Sequence, residues 1–83
     1  MEYIIYLIME KTIYTNDHKY MVEQLKKARR QAGLDQKQVA DKLKKTQSYV
    51  SKIESGQRRI DINQLKEFAK IYKKEISYFI KNG

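Results

Sequence analysis

Along residues 36–54, QKQVADKLKKTQSYVSKIE, apolar side chains fall at Val39, Ala40 and Leu43, one face of a helix by their period. The same period carried forward asks for apolar residues near positions 46 and 47, where the chain has Thr46 and Gln47. Apolar positions resume at Val50 and Ile53, out of phase with the first set. The slip falls on Lys44-Lys45-Thr46. One continuous helix is excluded, and the pattern predicts two short helices with a sharp break between them.

Helical periodicity begins at Tyr20 and runs almost to the C-terminus. A first helix is expected over about 20–32, with Met21, Leu25, Ala28 and Ala32 inward and Gly33 as the left-handed residue that ends it. The second follows Asp35 and ends near Leu43; the third follows Thr46 and stops at Ser55-Gly56, both starting after good N-cap residues. Beyond GQRRID, Asp61 can cap a fourth helix that buries Ile62, Leu65, Phe68, Ala69 and Tyr72. A last short helix carries Ile76, Phe79 and Ile80. Before position 20 the pattern changes. The stretch YIIYLIMEKTIYT over 3–15 is dense in Ile and Tyr and apolar on both alternating faces, which predicts a strand needing cover on each side. TNDHK at 15–19 then reads as a turn or linker, with His18 expected as a surface linker residue rather than a metal ligand. The expected fold is an all-α, five-helix domain over 20–83, preceded by an apolar arm with a β-strand over 1–19. That arm would serve dimerisation or a protein partner; a leader ahead of a start at Met21 is the alternative.

Charge sharpens the functional question. The formal net charge is +8, and it is unevenly distributed. Residues 1–19 hold two lysines against Glu2, Glu10 and Asp17, while residues 20–83 hold sixteen basic and seven acidic side chains. A small domain with that excess is drawn to polyanions, nucleic acid first among them, with a membrane surface as the bland competitor. The apolar run is too short to span a bilayer, which takes roughly 20 residues, and it lacks the basic start of a signal peptide. No cysteine is present, so disulfides and thiolate metal sites are excluded and a reducing, cytoplasmic setting is expected. One histidine, no glycine-rich phosphate loop and no paired carboxylates argue against an enzyme and against a cofactor or metal.

A helix-turn-helix explains the broken period. Two short helices cross at roughly 90–120° through a tight turn, and the second enters the DNA major groove. Ala40 offers the small side chain such a crossing needs, and Val50 and Ile53 would anchor the second helix from beneath. Gln47, Ser48, Ser51 and Lys52 then point outward. Gln can pair with adenine, Lys with guanine, and Ser with either.

The run LKKARRQAGLDQKQVADKLKKTQSYVSKIESGQRRI, followed by LKEFAKIYKKEISYFI, resembles the lambda-repressor-like, Cro-type helix-turn-helix family over about residues 22–80. The resemblance implies sequence-specific binding to double-stranded DNA, usually by a homodimer on a palindrome and usually for transcriptional control. It implies base contacts from Gln47, Ser48 and Lys52, and backbone contacts from Gln36, Thr46, Tyr49, Ser51, Gln57, Arg58 and Arg59. Tyr49 as half-buried packing, and Arg58 and Arg59 as solvated charges, are the alternatives. The resemblance also implies a partly buried ion pair between Arg29 and Glu54, and a dimer contact through Ile76, Tyr78, Phe79 and Ile80. Ile5 and Leu7 of the arm would extend that interface.

The chain departs from the family's pattern in its turns. Lys44 and Lys73 stand where glycine is usual, and Asp35 where threonine often is. A left-handed lysine would be strained, by on the order of 1 kcal/mol against glycine, but adds charge, and Lys44 and Lys45 lie near where a phosphate could pass. No length follows Gly83 for a ligand-sensing domain, so a short Cro-like or restriction-controller type is expected. Two other functions stay open: an antitoxin that binds its own operator while the arm covers a toxin, and a bridging factor of the same fold. The latter would prefer no duplex by more than about tenfold.

Overall fold

The computed structural model describes residues 16–81, and all of the regular structure among them is helical. Helix α1 runs Asn16–Gln31, α2 Gln36–Leu43, α3 Gln47–Glu54 and α4 Ile62–Tyr72, followed by a 3-10 helix, Ile76–Phe79. The strand expected over residues 3–9, with Ile5 and Leu7, lies outside the described residues. The fifth helix expected near the C-terminus is that single 3-10 turn. Its leading Glu75 makes no side-chain cap, and its four residues do not propagate.

Three further expectations are corrected. Residues 16–19 are not a turn but the first turn of α1, where Asp17 complements the positive end of the helix dipole. The polar residues that read as a linker are also the types that favour a helix start. Ala32 lies past the end of α1 and is exposed, while Val22 is buried in register with Leu25 and Ala28. Ile62 is 53% exposed, because it opens α4 before the stripe Leu65, Phe68, Ala69 and Tyr72 turns inward.

The core joins every described element. Leu25 and Ala28 from α1, Val39 and Ala40 from α2, and Val50 and Ile53 from α3 meet the α4 stripe and Phe79, all buried. Helices α2 and α3 pack most extensively on each other, with Ala40 only 1% exposed between them. The caps explain how such short helices persist. Asp35 Oδ1 accepts the Gln38 amide at 2.7 Å while Gln38 Oε1 accepts the Asp35 amide at 2.8 Å, a reciprocal box repeated by Asp61 and Gln64.

Each of the four helices ends in the same way, with a left-handed residue whose successor donates back to a carbonyl five residues earlier. Glycine supplies that residue after α1 and α3, at Gly33 and Gly56. Lysine supplies it after α2 and α4: Lys44 has φ 58° and Lys73 φ 56°. The Lys45 amide bonds the Ala40 carbonyl at 2.9 Å, and Lys74 bonds Ala69 at 2.9 Å. A Cβ in that region crowds the backbone, at a cost of about 1 kcal/mol or more. Lys44→Gly and Lys73→Gly should therefore each raise stability by about 1 kcal/mol, or roughly 4–8 °C in midpoint for a domain this small. Thermal unfolding checks it, with Lys44→Ala, which keeps the Cβ, expected to give no such gain.

Candidate nucleic-acid interface

Helix α3 is held on one side and bare on the other. Val50 and Ile53 are fully buried beneath it, while Gln47, Ser48, Ser51 and Lys52 are exposed. Thr46 begins it in extended backbone, its hydroxyl oxygen accepting the Tyr49 amide at 3.2 Å. The outward face is therefore three neutral hydrogen-bonding side chains and one cation. Gln57, Arg58 and Arg59 follow in an exposed loop between α3 and α4, and Lys44 and Lys45 precede it, also exposed. Cations thus lie at both ends of a largely neutral surface.

The far end of α3 is fixed by Glu54, the only charged residue buried among those described. Its two carboxylate oxygens accept from Arg29 Nε at 2.8 Å and Arg29 Nη2 at 3.0 Å, a bidentate pair, and Oε1 also accepts from Gln36 Nε2 at 3.1 Å. Arg29 Nη1 donates in addition to the Leu34 carbonyl at 3.0 Å. The hydrogen bonds to Glu54 chiefly raise the Arg29 pKa above its ordinary value, against the opposing effect of burial. Close by, Tyr72 is buried, and its pKa is pushed up by that burial and then by the Glu54 charge.

Tyr49, expected as a backbone contact, is 7% exposed, and its hydroxyl is buried without a hydrogen bond. Burial raises its pKa, with the Arg58 charge pulling the other way. Its ring stacks on Phe68 at 6.4 Å between centroids, 9° from parallel. The Arg58 guanidinium lies 4.8 Å from the ring centroid and the Lys45 ammonium 5.5 Å. From sequence Lys45 is expected near a passing phosphate but not over the Tyr49 ring, although its spacing of four from Tyr49 is visible there.

The structure therefore gathers Gln47, Ser48, Ser51 and Lys52 on one exposed face, with Thr46 and Gln57–Arg59 flanking it. Gln36 turns its amide nitrogen toward Glu54 rather than outward. Arg29 and Glu54 lie in direct contact. Phe79, expected in a dimer contact, is instead fully buried in the chain's own core, where it packs edge-on to Tyr78 at 5.1 Å. Ile76 and Tyr78 are half-buried and Ile80 is 47% exposed.

A helix-turn-helix family model matches residues 25–79, from one fully buried core residue, Leu25, to another, Phe79. The chain belongs to the lambda-repressor/Cro-like helix-turn-helix family. Helices α2 and α3, joined through the turn at Lys44, are the helix-turn-helix pair. The family is one of DNA-binding domains. No curated relative matches the chain. Among the described residues no helix is long and apolar enough to cross a membrane, and no cluster of His, Asp and Glu could hold a metal ion.

The ion pair has side-chain exposures of 13% for Arg29 and 4% for Glu54. At that burial, removing one partner strands the other charge, and the loss is roughly 3–5 kcal/mol. Arg29→Met and Glu54→Gln should each lower the unfolding midpoint sharply, whereas the exposed Lys52→Met should leave it nearly unchanged. Urea unfolding of the three variants makes the comparison, and equal midpoints would reduce the pair to a surface contact.

Proposed function

We propose that this helix-turn-helix chain is a cytoplasmic transcriptional regulator that binds one double-stranded DNA sequence as a homodimer on a palindromic operator. The observation that carries the reading is the exposed face of α3. Gln47, Ser48 and Lys52 are all free of the core and supply the donors and acceptors that major-groove edges match. Ser51, Thr46, Gln57, Arg58 and Arg59 border that face and act on the phosphate backbone, which positions without specifying. The excess positive charge of residues 20–83 supplies non-specific attraction to the duplex.

The two functions separate by mutation. Gln47→Ala should cost roughly 1–3 kcal/mol on the cognate site and relax the preference at one base pair. Arg59→Ala should weaken all duplexes alike and reduce the salt slope by about 1. Selection from a random duplex pool supplies the cognate site, and titrations on selected and scrambled DNA give both numbers. Equal weakening of both DNAs by Gln47→Ala would remove the base-reading role.

Homodimerisation is supported by the apolar surface of Ile76, Tyr78 and Ile80 at the C-terminal end. A twofold axis there would set two α3 helices roughly 34 Å apart on one face of DNA. The apolar arm, with Ile5 and Leu7, adds a second intersubunit contact in this reading, since a run whose alternating positions are all apolar needs cover that a second copy can supply. Deleting residues 1–15 should then weaken the dimer while leaving α1–α4 folded. Sedimentation at micromolar concentration reads the outcome; a truncated chain as dimeric as the parent would assign the arm to another partner.

A further inference from the structure

Lys45 and Arg58 lie on opposite sides of α3 in the chain, one before its N-cap and one after its end, yet both cations stand over the same ring. Their charges are 5.5 and 4.8 Å from the Tyr49 centroid, within the roughly 6 Å at which a cation feels the ring's quadrupole. Like charges brought together in this way repel one another. Both residues are exposed, so neither is forced into place by packing in the core. Among the described residues neither makes a salt bridge, although Asp61 stands only three residues from Arg58.

The ring itself is immobilised. Phe68, fully buried in α4, stacks on Tyr49, and Phe68 in turn contacts Tyr72 at 6.1 Å. The Tyr49 backbone is tied to the Thr46 hydroxyl. A row of three aromatic rings therefore connects the core to the two cations.

We propose that Lys45, Tyr49 and Arg58 form a preset clamp for the DNA sugar–phosphate backbone, with Tyr49 as the positioning residue. The inference rests on the DNA-binding reading and adds a mechanism to it. Lysine and arginine side chains have many rotamers, and ordering them on a phosphate loses that freedom at the moment of binding. Stacked on a fixed ring, both are ordered beforehand. A phosphate arriving between them also relieves their mutual repulsion. The phenol oxygen takes no part, because it is buried; the ring alone is required.

The test uses the full chain and a selected duplex, with affinity measured over a series of salt concentrations. Tyr49→Phe keeps the ring and should bind as the parent does. Tyr49→Leu should weaken selected and random duplexes by the same factor, about two- to fivefold, as loss of a cation–ring contact at an exposed site implies. Arg58→Ala should reduce the salt slope by about 1 in the parent but by clearly less in the Tyr49→Leu background. Lys45→Ala and Arg58→Ala replace exposed residues, so their measured coupling through the ring stands even if Tyr49→Leu unfolds: with Tyr49 present, the double variant should lose less affinity than the product of the two singles. Strictly multiplicative losses, or a Tyr49→Phe variant as weak as Tyr49→Leu, would overturn the clamp. A parent chain that binds no duplex would overturn the DNA-binding reading instead.

Discussion

The placement of α3 depends on one carboxylate. Glu54 is the last residue of that helix and is 5% exposed, and three donors from two other helices meet it. Arg29 comes from the last turn of α1 and Gln36 is the first residue of α2, so the start of one helix and the ends of two are fixed at a single point. A buried ion pair is not by itself a source of stability, because desolvation offsets most of its attraction. Its consequence here is registration. Helices of eight residues are marginal alone, and the apolar packing of Val39, Ala40 and Val50 tolerates sliding that a bidentate pair does not. With Glu54 tied to α1 and α2, and Val50 and Ile53 buried beneath, α3 has little freedom to rotate about its axis. Rotation would exchange Gln47 and Ser48 for Tyr49 on the outer face.

The lysines at the two turns obey a different logic. Gly33 and Gly56 occupy the left-handed position at no steric cost, but Lys44 and Lys73 occupy it against a steric penalty. The return hydrogen bonds from Lys45 and Lys74 are as short as in the glycine turns, so the turn geometry is kept and the side chain bears the strain. After α2 the result is two adjacent lysines just before the Thr46 cap of α3. A domain that tolerates such strain at the turn has more stability than folding requires, or a use for the charge.

Much of this architecture is legible in the sequence, and the reasons are physical. The helix-turn-helix is visible because two buried faces of period 3.6 meet out of phase, and only a break between Leu43 and Thr46 reconciles them. Asp35, Thr46 and Asp61 mark helix starts because each has a side-chain oxygen that an N-cap requires. The start of α1 is ambiguous because Asn16 and Asp17 are equally good linker and helix-start residues, and tertiary packing makes the choice between them. Periodicity puts Ile62 in the core because it assigns a face but not how far along the helix the core extends. Phe79 reads as an interface residue because apolarity does not distinguish a chain's own core from a partner's. Tyr49 is the instructive case. Its sequence context allows contact or packing, and the structure buries its ring against Phe68. That Lys45 and Arg58 converge on its ring depends on how the loop after α3 folds back, and no spacing encodes that.

The arrangement around α3 also separates two components of binding. Its outer face carries one formal charge, Lys52, amid Gln47, Ser48 and Ser51, while Lys44, Lys45, Arg58 and Arg59 lie in the segments on either side. On the proposed reading, contacts from the flanks displace condensed counterions, so their contribution falls steeply with salt and is equal for every duplex. Contacts from the neutral face depend on which donor meets which acceptor, and they depend little on salt. Rising ionic strength then lowers affinity for operator and random DNA together and leaves their ratio nearly intact. Had the flanking cations also been placed on α3, electrostatic attraction and base discrimination would share most of the same side chains, as they do at Lys52 alone. Segregating them lets the basic flanks set how tightly the domain holds DNA, while Gln47, Ser48 and Lys52 set where.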